Sequence, residues 1–333
     1  MLGGSVFVGR RLVAALVDTG HEVAVLNRGR TPTTLPPGVG HLVADRTDLA
    51  SMSAALDATQ WDAVFDVSGF VMAAGGSDID GLLDLLDGRV GAYIYVSSIM
   101  AYDQSLVGVF PWTEDLPANP EGPVSYGGFK AMAEQSMLRR HTTHGFPVVI
   151  VRPAAIYGPD NNIYDMETPM FIRLVQHRPI LLPHGGLVVS SYGHVDDLVG
   201  FMMVAATMPS VQGEIFNVTT SAVTARRYVM TLAEIVGVDP HIVELHDDVL
   251  NSTTMPVFGH LFGTRHHAEL STAKADAVFR PRIGFRPGHE STYQWFLSQG
   301  WAERTEPLVD PMWRATWNFE AETDVAARLV DAR

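Results

Sequence analysis

The chain has 333 residues, about two domains at roughly 150 residues each, and 47% of them are hydrophobic, enough for sizeable buried cores. With 23 Lys plus Arg against 37 Asp plus Glu, the net charge of −14 sets up a field that repels phosphate backbones and disfavours nucleic acid as the main partner. The lack of cysteine excludes disulfides, thiolate zinc sites and a cysteine nucleophile together.

The start, Met1-Leu2-Gly3-Gly4, has no basic segment ahead of an apolar run. The apolar stretch Leu198 to Met208, bracketed by Asp197 and Pro209, is far short of the ~18 residues that a spanning helix needs. A cytoplasmic protein without membrane association is expected. Gly3-Gly4-Ser5-Val6-Phe7-Val8-Gly9 leads into a helical pattern over Arg10 to Asp18, where Leu12, Val13, Leu16 and Val17 share a face and Gly20 marks the stop. Glycines here let the backbone turn tightly and approach a pyrophosphate seated on the helix N-terminus, where free N–H groups point outward. The spacing fits G-x-x-G-x-x-G with Val6 in place of the middle glycine. The strand that should precede Gly3 is reduced to Met1 and Leu2. Either the natural start lies upstream, so that added apolar residues would stabilise the fold, or the sheet is completed in another way.

The next strand pattern, His21 to Asn27, ends where dinucleotide folds place the residue that reads the ribose. An uncharged Asn27 followed by Arg28 and Arg30 suits a ribose 2′-phosphate, because guanidinium pairs bidentately with phosphate. NADP(H) is therefore the expected cofactor and NAD(H) the alternative. His41 to Ala44, Ala63 to Val67, Ala92 to Ser97 and Pro147 to Val151 are further strand patterns separated by helical ones. That alternation implies the α/β class, a Rossmann-type doubly wound parallel sheet. Leu187 to Val189 and Glu214 to Val218 read as buried strands that continue it. The expected division is a dinucleotide-binding domain, 1–158 and 187–221, with a smaller interleaved substrate domain, 159–186 and 222–333.

Tyr126-Gly-Gly-Phe-Lys130 places a phenol and an ammonium four residues apart, on one face of a helix. Lys130 is expected to lower the phenol's pKa electrostatically and to bond the nicotinamide ribose. A tyrosine tuned in this way exchanges a proton with a carbinol oxygen. Ser97 and Ser98 end the preceding strand pattern, where a hydroxyl can orient the same oxygen. A Tyr-x-x-x-Lys pair alone is common; its place one helix after a Ser-Ser strand end makes it specific.

With these motifs the chain resembles the extended short-chain dehydrogenase/reductase family, the NAD-dependent epimerase/dehydratase group. The resemblance runs from Gly3 to about Ala302. It includes Asp45 after the third strand, Tyr95-Val-Ser-Ser98, Arg152-Pro-Ala-Ala-Ile-Tyr-Gly-Pro159, His194-Val-Asp-Asp197, Gly213-Glu-Ile-Phe-Asn217, Gly284-Phe-Arg-Pro287 and Thr292-Tyr-Gln-Trp295. The glycine loop and Tyr192-Gly-His-Val-Asp-Asp197 are also similar to the chloroplast stem-loop RNA-binding branch, whose members often lack a full active site. This chain keeps one, which favours catalysis.

The resemblance implies that Tyr126 is the acid/base, Lys130 its partner and Ser98 the orienting hydroxyl. Gly3, Ser5, Val6, Phe7, Val8 and Gly9 would cradle the pyrophosphate. Asn27, Arg28 and Arg30 would meet the adenosine ribose and Asp45 the adenine, with Arg46 and Ser68 also counted among the cofactor-binding residues. Pro153 and Ile156 would line the nicotinamide. On the substrate side stand Ser97, Tyr157, Asn217 and Arg226. Two departures narrow the chemistry. The Asp-Glu pair with which sugar-nucleotide 4,6-dehydratases lose water is replaced by Ile99 and Met100, so dehydration is disfavoured. The arginine before His-Val-Asp-Asp is absent, with Ser190 and Ser191 in that stretch; Arg226, Arg227, Arg280, Arg282 and Arg286 are candidate substitutes.

No metal is expected, since the spacings of His241, His246, His260, His266 and His267 match no zinc pattern. Asp196 and Asp197 read as a helix start, and Trp295 and Trp301 as packing for the C-terminal helix. The expected activity is an epimerase or reductase acting on a sugar-like, nucleotide-linked alcohol, and a homodimer is compatible with it. The alternatives are a reductase of a small biosynthetic carbonyl and a non-catalytic nucleotide- or RNA-associated protein.

Overall fold

The computed structural model describes residues 1–30, 34–57, 59–67, 77–162, 166–245, 262, 266–306 and 317–331. They form two compact units. The first comprises Met1–Ala154, Val195–Thr219 and Leu270–Arg282; the second comprises Ala155–His194, Thr220–Glu269 and Ile283–Arg333.

In the first unit, strand and helix alternate: α1 (Phe7–Asp18), β1 (Ala24–Asn27), β2 (Gly40–Val43), α2 (Leu49–Leu56), β3 (Trp61–Asp66), α3 (Ser77–Leu86), β4 (Val90–Val96), α4 (Tyr126–His144) and β5 (Val148–Pro153). After an excursion into the second unit the chain returns as α6 (Val195–Ala206) and β9 (Ile215–Val218). All strand pairs are parallel, in the order β3-β4-β5-β9, with β1 beside β2. The two groups are joined by the first three residues. Leu2 bridges in parallel to both Leu26 and Asp66. Backbone bonds run from Leu2 N to Phe65 O (2.8 Å), Leu26 N to Met1 O (2.8 Å), Gly3 N to Leu26 O (3.0 Å) and Val67 N to Leu2 O (3.1 Å). Met1 to Gly3 thus take the central place in the sheet that the short sequence before the glycine loop left open. Because both faces of this sheet are covered, β4 and β5 are apolar almost throughout. Leu82, Leu83, Tyr93, Phe146, Val148 and Ile150 pack in one core.

The second unit holds β6 (Ala155–Tyr157), α5 (Glu167–Val175), β7 (Ile180–Pro183), β8 (Val189–His194), β10 (Ser221–Thr224), α7 (Ala225–Val236), β11 (Ile242–Leu245), α8 (Phe285–Ser298) and α9 (Phe319–Asp331). β8 pairs antiparallel with β10 and parallel with β6, and β7 pairs parallel with β11. This differs from the expected boundaries. The strand near Leu187 belongs to the second unit because its ladder runs to β6 and β10, while residues 270–282 fall in the first unit. Glu214 to Val218 does extend the main sheet, through β9 against β5. The core of the second unit is aromatic. His289 stacks on Tyr157 (centroids 3.9 Å apart, 11° between planes), and burial pushes its imidazole down to about 3, so it is neutral at neutral pH. Trp295 and Trp301 meet edge-to-face at 5.0 Å at the end of α8.

Candidate active site

The site is built on the end of β4 and the start of α4. Beyond Val96 the chain makes a 3₁₀ turn, Ile99–Ala101, capped by Ser98, whose Oγ accepts the backbone N–H of Met100 at 3.1 Å. α4 opens at Tyr126, capped by Ser125, whose hydroxyl accepts the N–H of Gly128 at 3.1 Å. The two glycines after Tyr126 let this helix start sit against backbone. A Cβ on Gly127 would lie 2.0 Å from Met100 O, and one on Gly128 would lie 2.1 Å from Gly122 O. The close approach brings the start of α4 at Tyr126 to the turn that Ser98 caps, and the Ser98 hydroxyl acts on the phenol.

Lys130 lies one helical turn on and is 4% exposed. Its Nζ donates to Val96 O at 2.7 Å and stands 4.8 Å from the Tyr95 ring centroid and 5.7 Å from that of Tyr126. Burial pushes the ammonium down to about 8, opposed by the carboxylates of Asp66 and Glu134. The Tyr126 phenol is pushed up by burial, with the Ser98 hydroxyl opposing. This corrects the expected direction: removal from water outweighs any lowering by Lys130, and the phenol is held protonated.

Several other expected residues are engaged with protein. Ser97 donates to Glu134 Oε1 in a buried cluster where Arg152 also clamps Glu134, at 3.0 Å (Nε to Oε1) and 2.5 Å (Nη2 to Oε2), and stacks over Tyr102 at 4.2 Å. Asn217 is fully buried, accepting from Tyr102 Oη (2.7 Å) and donating to Trp112 O (3.0 Å). It is a buckle between β9 and the 102–112 loop, not an open substrate contact. Arg46 forms a fork with the buried Asp66 carboxylate at 2.6 and 2.5 Å. Arg226 bonds Gly185 O (3.1 Å) and pairs with Glu244. Of the substitute arginines, Arg227 and Arg286 both pair with Glu234. Asp66, Glu134 and Arg152 were absent from the expected site. The available signal was a carboxylate ending a buried strand, and a glutamate one turn beyond Lys130 on the same helix face.

The glycine loop forms a narrow cradle. Gly3 and Gly4 take φ of 102° and 110°, and a Cβ on Gly9 would lie 2.6 Å from Gly4 N, so only glycine fits there. α1 starts after Val6 with no side-chain cap and no acidic residue in its first turn; Phe7, Val8 and Gly9 form that turn. Asn27 donates to Ser5 Oγ (2.9 Å) and accepts from Gly29 N (2.8 Å), tying the loop to the turn that carries Arg28 and Arg30. Both arginines are exposed, and their charge helps hold the Asp45 carboxylate low, after its bonds from Thr47. Pro153 ends β5, while Ile156 and Tyr157 belong to β6 in the second unit. Asp196 and Asp197 lie in the first turn of α6, where Asp196 pairs with Arg11 (2.6 Å) and Asp197 accepts from Arg282 N (2.8 Å). Ser68, His246 and His260 lie outside the described residues. No helix among the described residues is long and apolar enough to cross a membrane.

The chain is similar to several known proteins. The chloroplast stem-loop binding protein of 41 kDa b of Arabidopsis thaliana is 29% identical over 232 residues, 66% of this chain and 57% of that relative's length. The dTDP-glucose 4,6-dehydratase of Streptomyces griseus is 28% identical over 254 residues, 74% of this chain and 70% of that enzyme. Among solved structures, UDP-glucose 4-epimerase of Thermotoga maritima with UDP-glucose superposes with a TM-score of 0.74 at 20% identity, covering 90% of this chain and 98% of that one. The match to the plant relative thus spans little more than half of that protein. Residues 1–219 match the NAD dependent epimerase/dehydratase family as a whole, and the chain belongs to that family.

Proposed function

We propose that the chain is a nicotinamide-dependent oxidoreductase that acts on a secondary alcohol or ketone of a sugar-like, nucleotide-linked substrate, by epimerisation or reduction, with NADP(H) preferred. The observation that carries this reading is the start of α4 at Tyr126 packed against the turn after Ser98, with Lys130 fixed one helical turn on by Val96 O. When bound, the nicotinamide supplies the hydride chemistry. The protein supplies the proton and the geometry. Ser98 orients the substrate oxygen, and Tyr126, held protonated by burial, donates to that oxygen as a ketone is reduced. In the reverse direction the phenol must first lose its proton, which the positive charge of Lys130 favours. Lys130 commits one N–H to Val96 O among the described residues, so its other donors suit the ribose hydroxyls. The Gly3–Gly9 cradle and the uncapped start of α1 suit a pyrophosphate, with Ser5 and Asn27 holding the loop in shape. Exposed Arg28 and Arg30 suit a 2′-phosphate. Ile99 and Met100 have no proton to move, which argues against loss of water in spite of the dehydratase relatives.

Tyr126→Phe tests the reading. Turnover of UDP- and dTDP-linked hexoses, followed through NADPH absorbance and product epimers, should fall by at least ~10²-fold with cofactor affinity nearly intact. Near-normal turnover in this variant would overturn the catalytic assignment. A salt-sensitive RNA gel shift by a protein without turnover would favour the RNA-associated alternative.

A further inference from the structure

Lysine is rare in this chain: Lys130 and Lys274 are its two lysines, and the other 23 − 2 = 21 cationic side chains are arginine. Lys274 is half-exposed and pairs with Glu214 at 2.6 Å. Lys130 is buried, and an ammonium there needs a counter-charge to persist. Each element packed around it contributes a group. From β4, Val96 O accepts its proton and the Tyr95 ring lies beneath it, while the Tyr95 hydroxyl is buried without a hydrogen-bond partner among the described residues. From α4 come Tyr126 and Glu134, the latter paired with Arg152 and a smaller support for the ammonium than Asp66. From β3 comes Asp66, which is fully buried and the register partner of Tyr95. Asp66 is clamped by Arg46 on both carboxylate oxygens and by the Tyr93 hydroxyl at 2.8 Å.

We propose that Asp66 is a positioning residue for Lys130: its carboxylate, locked at the end of β3 by Arg46 and Tyr93, is the counter-charge that keeps the buried Lys130 ammonium protonated and seated on Val96. The role rests on the reading of Lys130 as partner of Tyr126 and adds a residue to it. The Arg46 clamp keeps the carboxylate ionised and fixed, so that its field stays at the neighbouring strand. Arg46 itself opposes the ammonium, but by less than Asp66 supports it.

Two lysines make the test direct. With ¹⁵N-lysine labelling, the protein shows two side-chain nitrogen signals, assigned by Lys274→Arg. In the unmodified protein, Lys130 should carry its full set of protons at pH 7; a neutral amine there overturns the proposal. In Asp66→Asn the Lys130 midpoint should fall by about one pH unit or more, with Lys274 unmoved, as expected for loss of a nearby opposite charge. A folded Asp66→Asn with an unchanged Lys130 midpoint overturns the proposal. Should loss of the Asp66 carboxylate beside Arg46 prevent folding, the double replacement Arg46→Met with Asp66→Asn removes both charges; Lys130 should fall there too, by less, and no change again overturns the proposal. The catalytic reading fails separately, by turnover in Tyr126→Phe, which leaves this titration unaffected.

Discussion

At the scale of single residues, burial decides more than charge pairing does. Lys130 titrates at about 8 in place of 10.5 because its ammonium is removed from water. Between those values the unfolded chain binds more protons than the folded one, so this group's contribution to stability rises with pH across that window. At neutral pH the buried charge costs about 3 kcal/mol, taking ~1.36 kcal/mol per pH unit. Lys130→Met should therefore be more stable than the parent by about 1–3 kcal/mol at pH 7 in urea unfolding, with the gain fading towards pH 10, while cofactor affinity is lost. Equal or lower stability at pH 7 would show that the contacts with Val96 and Tyr95 and the field of Asp66 outweigh desolvation. Arg28 lies at the other end of the expected cofactor. Being exposed, it should act on binding and little on folding. Arg28→Ala is expected to weaken NADPH by about tenfold or more, as for a charge-assisted bond to phosphate, and to leave NADH nearly unchanged. Titration of both cofactors checks this, and tighter NADH binding in both proteins would reduce the arginine to a turn decoration.

At the scale of elements, the site depends on how closely α4 approaches the turn after β4. The backbone of Met100 occupies the space that a side chain at position 127 would need, and a carbonyl cannot rotate aside as a flexible side chain can. Gly127→Ala should therefore shift the start of α4, cost about 1–3 kcal/mol in a thermal or urea melt, and displace Tyr126 from the turn that Ser98 caps. Its signature is a drop in turnover larger than the drop in cofactor affinity. A variant with parental stability and rate would show that the helix start relaxes without cost. The pairing of Tyr126 with Lys130 was legible in the sequence because one helix carries both, and so was the glycine turn ahead of α1. The tasks of Ser97, Arg46 and Asn217 were not. Their partners lie 37, 20 and 115 residues away, and no local spacing announces them.

At the scale of the whole molecule, the last helix is tied into the second unit by a buried ion pair. Arg173 of α5 grips Glu322 of α9 at 2.6 and 2.8 Å and lies over the Phe319 ring at 5.2 Å. Glu322→Ala takes this carboxylate away from a buried guanidinium, and it should cost about 3–5 kcal/mol. Replacing the pair together, Arg173→Met with Glu322→Leu, should restore most of that stability. Comparison of the two melting curves checks the point, and a mild effect of Glu322→Ala would mean that α9 is held by its apolar face alone.

The sequence by itself determined the alternation of strand and helix, the glycine cradle, and the phenol and ammonium on one helix face. Each follows from periodicity or from spacing within a few residues, where backbone geometry leaves little choice. Only the tertiary structure decided where the two units divide, because a strand's membership is set by the ladder it joins and not by its own residues. The tertiary structure also closed the sheet, since Met1 to Gly3 find partners on both sides through backbone groups that any residues carry. It set the direction of the Tyr126 shift as well, because desolvation depends on everything packed around a side chain. And it brought Asp66, a residue with no motif of its own, to the strand beside Lys130, where charge acts through space and not along the chain.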